Sequence, residues 1–352
     1  MDLHLDVELR RERLLLRAAL RVAAGETVAI VGPNGAGKSS LLLAIAGLLR
    51  VDRGRIALGE RLLDGGPGGP FVPPEQRGVG VVFQGHLLFP HLAALDNVAF
   101  GLRSRGIARR EARDAAARWL ERVGLGAVHH GAKPAALSGG QAQRVALART
   151  LATEPAALLL DEPLAAVDAS GRLELLRELR EHLRQFAGPR VVVVHDIADA
   201  LAFAKRVVVI ENGAVVQDGA IDELVGRPRS TYVADLVGLN GFVGVCDDNH
   251  VRVGALTLTV ATPVRGDVLV TIHPRAVALF RERPSGSPRN VWTARAVDFE
   301  PLLDRDRVRV RLDGALSLVA EITPAAVADL KLRDGGEVWV AVKATEIGVT
   351  PR

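Results

Sequence analysis

Eight residues constrain this chain of 352 residues more than any others: GPNGAGKS, from Gly32 to Ser39. An apolar run, TVAIVG, leads into them, and SSLLLAIAGLL, apolar at helical spacing, follows Lys38. A buried strand, a glycine-rich turn and a helix, in that order, make a cradle for phosphate. Gly32, Gly35 and Gly37 let the backbone curl until its N–H groups face an anion at the start of a helix. Lys38 is placed to reach the β and γ phosphates, and Ser39 to offer a hydroxyl to Mg²⁺. Pro33, Asn34, Ala36 and Ser40 complete the expected contact set. Only five of the 45 basic residues are lysines, so one inside this turn stands out.

The rest of the first two thirds reads as strands alternating with helices, which argues a parallel α/β sheet. Leu3, Leu5, Val7 and Leu9 alternate with His4, Asp6, Glu8 and Arg10, a half-buried strand. VGVVFQ ends at Gln84, and Val191–Val194 end at His195. Four apolar residues, Ala157 to Leu160, precede Asp161, so a buried strand delivers a carboxylate that can hold Mg²⁺ through water. Glu162 follows at once and points elsewhere; it is the candidate general base for water attacking a γ phosphate. The segment 85–136 is mostly helical and interrupts the strands, as a helical subdomain would. After about residue 240 short β-type runs with Gly or Asp turns take over, which predicts a small all-β barrel. The expected domains are therefore 1–238 and 239–352.

Composition excludes several classes. A net charge of +4, with basic residues spread among acids, is not the footprint of a nucleic-acid binder. One cysteine, Cys246, makes no disulfide framework. No uncharged apolar run approaches the roughly eighteen residues needed to span a bilayer. The N-terminus alternates apolar and charged residues and is no signal peptide. The chain is expected to be cytoplasmic, with membrane association through partner proteins.

LSGGQ, Leu137 to Gln141, stands a little over twenty residues before Asp161. With the phosphate loop, VFQ, LLLDEP and His195 in this order, it resembles the signature of ATP-binding cassette (ABC) ATPases. The resemblance implies an α/β phosphate-loop NTPase fold with a helical subdomain. It also implies that Ser138, Gly139, Gly140 and Gln141 form a second phosphate-binding turn, closing on ATP held by the opposite subunit of a homodimer. Gln84 would touch Mg²⁺ or water and sense the γ phosphate, and His195 would reach that phosphate. LAAVD, Leu164 to Asp168, sits where the family's dimer-contact loop belongs; SALD is the common form, and Asp168 is retained.

LFPHLAALDNVAFGL, Leu88 to Leu102, resembles ATPases of binding-protein-dependent importers. RNVWTARAV and VAVKATEI resemble a TOBE, or molybdate-binding-like, domain with an OB-like barrel. Together they most resemble molybdate or tungstate importer ATPases; importers of iron, sulfate, polyamines or sugars are the alternatives. Such a chain would sit peripherally on the cytoplasmic face of the plasma (inner) membrane, on two permease subunits. A solute-binding protein would act indirectly. A soluble ABC ATPase acting on nucleic acid or ribosomes usually carries two cassettes or a long coiled coil, and this chain has neither. Ala165-Ala166-Val167 departs from the family's SALD form, and a second departure matters more. No Phe, Trp or Tyr precedes Phe71, where an aromatic would stack on adenine. The turn Arg10-Arg11-Glu12-Arg13 lies there instead, and an arginine plane can partly replace the ring.

Overall fold

The alternating N-terminal residues form β1 (Leu3–Arg11), with Leu3, Leu5, Val7 and Leu9 buried, paired antiparallel with β2 (Leu14–Val22). In this computed structural model the described residues are all but 12, 13, 166, 168, 303–305, 333 and 334, with the side chains of 169 and 170 also outside the description. β3 (Thr27–Val31) carries the apolar run before the phosphate loop, and α1 (Lys38–Ala46) follows that loop. β4 (Arg53–Leu58) and β5 (Arg61–Asp64) extend the antiparallel side. β6 (Val79–Val82), β7 (Ala157–Asp161) and β8 (Arg190–Val193) are short and apolar. β9 (Arg206–Glu211) and β10 (Ala214–Ala220) form a hairpin.

Among the described residues these strands make one sheet in the order β5-β4-β1-β2-β10-β9-β3-β8-β7-β6. β9, β3, β8, β7 and β6 each run parallel to the next. Parallel strands end on one edge, so whatever follows each strand arrives at the same place, where open α/β sheets bind ligands. Gly32 follows β3, Gln84 follows β6, Glu162 follows β7 and His195 follows β8.

Between β6 and β7 lie α2 (Ala94–Ser104), α3 (Arg109–Arg122) and α4 (Gly139–Leu151), packed on one another. Buried Asn97 ties the preceding loop down: it accepts from Phe89 N at 2.8 Å and donates to the carbonyls of Phe89 and Leu92. α5 (Ala169–Gln185) and α6 (Ile197–Phe203) follow β7 and β8. The end of α1 is closed by fully buried Arg77, which donates to the carbonyls of Ala44 at 2.7 Å and Ile45 at 2.9 Å. A cation there satisfies orphan carbonyls and offsets the helix dipole.

The chain divides into two compact units, Met1–Ile221 and Asp222–Arg352. That division precedes the 238 boundary expected from sequence. α7 (Ile221–Gly226) crosses it, and α8 (Thr231–Leu236) buries Val233 and Ala234 and packs on β11 (Asn240–Val253) of the second unit. Gly241 permits the approach, since a Cβ there would lie 2.7 Å from that of Ala234.

The second unit is β-rich. β11 and β12 (Leu256–Ile272) form a long hairpin that β18 (Ile347–Pro351) joins. β13 (Ala278–Phe280), β14 (Asn290–Pro301), β15 (Val308–Gly314), β16 (Leu318–Ile322) and β17 (Gly336–Val342) form a second antiparallel sheet, with α9 (Pro324–Asp329) before β17. Bulges at Asp248/His250 and Ala296/Asp298 bend the long strands. Both sheets share one core that includes Val268, Val270, Trp292, Val310 and Val340. This is the small β domain expected from the sequence, carrying the helices α8 and α9 besides its strands.

Candidate functional site

The phosphate loop takes its shape from neighbours distant in sequence. A Cβ on Gly32 would lie 2.1 Å from the carbonyl oxygen of Ile210 in β9, so only glycine fits. Gly37 has φ of +105° and its open side packs on Leu14 and Leu16 of β2. Lys38 is 6% exposed and its Nζ donates to the carbonyls of Gly32 at 2.6 Å and Pro33 at 3.0 Å. The ammonium is thus folded over the loop it would share with phosphate. Burial lowers its pKa, against the pull of Glu162 and Asp161. A cleft of about 730 Å³ opens over the loop; Asn34 to Ser40 line it together with Glu162, Arg10, Arg11 and Leu14.

Asp161 and Ser39 meet beside this cleft. The Ser39 hydroxyl donates to Asp161 Oδ1 at 3.4 Å, and Asp161 is 8% exposed. Burial raises the Asp161 pKa, and a nearby cation would relieve that. A hydroxyl and a carboxylate are hard oxygen donors of the type Mg²⁺ takes. Among the described residues there is no group of three or more His, Cys, Asp or Glu able to hold a metal. The pair therefore fits an ion that completes its shell with phosphate oxygens and water.

Glu162 is the hub. Gln84 Nε2 donates to its Oε2 at 2.6 Å, and His195 Nε2 lies 2.6 Å from the same oxygen. Oε1 has no partner among the described residues, which leaves its lone pairs available as a proton acceptor. The Glu162 amide donates to Val193 O at 3.1 Å, which fixes the turn after β7. Its φ is +49°, a left-handed conformation that costs a side-chain-bearing residue roughly 1–3 kcal/mol. That turn separates the adjacent acids, Asp161 toward Ser39 and Glu162 toward Gln84 and His195.

The glutamine that reaches Glu162 is held by contacts the sequence did not reveal. Gly85, His86 and Leu87 all have positive φ: 73°, 66° and 45°. Gln143 of α4 bonds His86 Nδ1 at 2.6 Å, and Arg149 donates to the carbonyls of His86 and Leu87 at 2.9 and 2.8 Å. No periodicity or motif spacing marks these two α4 side chains as partners of that loop. Leu14, Leu16 and Ile210, which mould the phosphate loop, went unmarked for the same reason.

The signature turn lies elsewhere. Ser138 and Gln141 form a reciprocal capping box at the start of α4: Ser138 Oγ accepts from Gln141 N at 3.2 Å, and Gln141 Oε1 accepts from Ser138 N at 2.9 Å. Ser138 through Gln141 line their own cavity of about 310 Å³ and are not among the residues that line the phosphate-loop cleft. One chain therefore brings together Lys38, Ser39, Asp161, Glu162, Gln84 and His195, and leaves the signature turn facing outward. Asp168 lies outside the described residues.

These features define a phosphate-loop ATPase whose Ser138–Gln141 turn stands apart from the phosphate-loop cleft. The model of the ABC transporter family matches residues 15–165, and that of the TOBE domain matches 286–349. The molybdenum import ATP-binding protein ModC of Mycobacterium tuberculosis is 39% identical over 344 residues, 94% of this chain and 92% of its own length. The molybdate/tungstate import ATP-binding protein WtpC of Pyrococcus horikoshii is 36% identical, with 97% of both chains covered. The Fe(3+) ions import ATP-binding protein FbpC of Agrobacterium fabrum is 39% identical over 78% of each chain. Among solved structures, the ATP-binding cassette MJ0796, a dimer in a post-hydrolysis state bound to ADP and Pi, matches with a TM-score of 0.54. It is 29% identical and covers 62% of this chain and 98% of its own. The chain belongs to the ATP-binding subunits of the ABC transporter family and is an ATPase. No helix among the described residues is long and apolar enough to cross a membrane.

Proposed function

We propose that this chain is the motor of a binding-protein-dependent importer that carries molybdate or tungstate. The observation that carries the ATPase half of this reading is the convergence of Gln84 and His195 on one oxygen of Glu162, beside the phosphate-loop cleft. Gly32 to Ser40 hold the ATP phosphates, and Lys38 turns from its loop carbonyls to them. Ser39 and Asp161 would hold Mg²⁺, with Gln84 beside them, and the ion would offset phosphate charge. Gln84 and His195 fix the Glu162 carboxylate, whose free Oε1 takes a proton from the attacking water. Water adds to the γ phosphorus, the bond to the bridging oxygen breaks, and ADP and phosphate leave. In this reading the chain works as a homodimer, and the outward-facing Ser138 turn, with Gly139, Gly140 and Gln141, completes the partner's site. Asp168 belongs to the contact between subunits.

The solute follows from similarity along nearly the whole chain, TOBE region included, to molybdenum and tungstate import proteins. Membrane attachment is through two permease subunits on the cytoplasmic face. Exposed Leu87 and Phe100, with Phe89 packed on Phe100 at 4.4 Å between ring centres, offer the apolar surface for that contact. The test is uptake of labelled molybdate in the parent organism after deletion of this gene. Uptake should be lost, and restored by the wild-type chain but not by Glu162→Gln. Loss of Fe(3+) uptake with molybdate uptake intact would move the assignment to the iron importers.

A further inference from the structure

The opposite end of the parallel sheet carries another cavity, of about 420 Å³. It lies at the starts of β3 and β8 and the ends of α5 and α6, away from the phosphate loop. Its walls hold five cations, Arg180, Arg184, Arg190, Lys205 and Arg206, and one acid, Glu26. Arg206 is held by Asp218 and Glu26, and Arg184 by Glu181 on the same exposed helix face. Arg190 is 4% exposed, and its guanidinium donates only to carbonyl oxygens, those of Gly25, Glu26, Leu183 and Phe186. No carboxylate among the described residues offsets that buried charge. Arg180 and Lys205 have no partner among the described residues. Five cations against the three carboxylates that touch them leave two positive charges in excess.

The same walls are apolar between the charges. Leu183 and Phe203 are buried, while Leu201 stands 55% exposed at the rim. Arg190 has a structural task, since its carbonyl partners include the end of α5. Arg180 and Lys205 hold no polar partner among the described residues, and Leu201 is exposed. Ligand sites combine a mostly apolar hollow of roughly 300–1,000 Å³ with a few convergent polar groups. Arg190 spends its N–H groups on carbonyl oxygens, so the cations free to meet a ligand are Arg180 and Lys205.

We propose that this cavity binds a small organic anion: an apolar, planar body bearing a phosphate, sulfonate or carboxylate group. The body lies on Leu201 and Phe203, and the acidic group meets Arg180 and Lys205. The site is separate from the nucleotide cleft, which lies at the other ends of β3 and β8.

The test uses two dyes of matched shape on the full chain with saturating ADP in the nucleotide cleft. One is 1-anilinonaphthalene-8-sulfonate and the other is uncharged N-phenyl-1-naphthylamine. The sulfonate should bind at least tenfold more tightly than the uncharged dye, and its affinity should fall as salt rises. Arg180→Glu with Lys205→Glu should weaken the sulfonate at least tenfold and leave the uncharged dye unchanged. Arg53→Glu with Arg55→Glu, on exposed β4, should change neither. If the glutamate pair melts early, Arg180→Gln with Lys205→Gln should still weaken the sulfonate at least threefold. Wild-type sulfonate affinity in the folded double variant, or equal binding of both dyes, overturns the proposal. So does displacement of the dye by polyglutamate but not by naphthalene phosphate, which would make the occupant an acidic protein segment.

Discussion

Replacing Glu162 by glutamine separates chemistry from stability. Glutamine keeps the shape and an oxygen that can still accept from Gln84 at the 2.6 Å contact. What it loses is the negative charge facing His195 and the capacity of Oε1 to take a proton. The His195 side chain is 48% exposed, so solvent screens the pair and its loss costs at most about 1 kcal/mol. In a domain of this size that lowers Tm by roughly 2–4 °C. A general base is worth about a hundred- to ten-thousandfold in rate, or about 2.7–5.4 kcal/mol at about 1.36 kcal/mol per tenfold. Turnover should therefore collapse in a chain that melts almost as the wild type does. Phosphate release under saturating MgATP measures the first quantity, and a thermal melt the second. ATP should also trap a dimer visible by size-exclusion chromatography, since binding survives and hydrolysis does not. Hydrolysis within tenfold of wild type would remove Glu162 from the chemistry. A Tm drop of more than about 10 °C would make its role structural.

Arg77→Met should destabilise the first unit by roughly 3–5 kcal/mol, because it strips the carbonyl cap from α1 and leaves the buried Asp64 carboxylate with backbone amides but no cation; urea unfolding reads this directly. Stability should also fall as pH drops below about 6.5 through His182. Burial lowers its pKa from 6.5, so the unfolded chain takes a proton there that the folded chain refuses. His182→Gln should reduce that slope between pH 7.5 and 5.5, the remainder running through His86, whose pKa burial also lowers; neighbouring Glu178, whose pKa burial raises, has the opposite sign and acts in the carboxylate range. Arg10 and Arg11 line the phosphate-loop cleft and no aromatic does among the described residues, so ATP and GTP should be hydrolysed with similar kcat/KM. Arg11→Tyr should tighten ATP binding, since a stacked ring is worth about 1–3 kcal/mol. A hundredfold ATP preference in the wild type would mean that other residues read the base.

The local elements were legible because their signals are local. Period-two alternation gave β1, and the turn glycines with Lys38 and Ser39 gave the phosphate loop. Gln84, Asp161, Glu162 and His195 each stand at or just past the end of an apolar run, so their strands could be read. The change of texture near residue 240 marked the β unit, although α8 belongs with it by packing and not by sequence pattern. Only the tertiary structure decided what those residues do to one another. Parallel pairing of β3, β8, β7 and β6 is a non-local choice, and it alone puts Gln84 and His195 on the same oxygen of Glu162. The close approach of Ile210 to Gly32, and the grip of Gln143 and Arg149 on the strained loop after Gln84, are likewise contacts across tens of residues. A sequence carries propensity and pattern along the chain. Which side chains share a cleft is set by how strands from distant segments pair, and that is fixed only when the core closes.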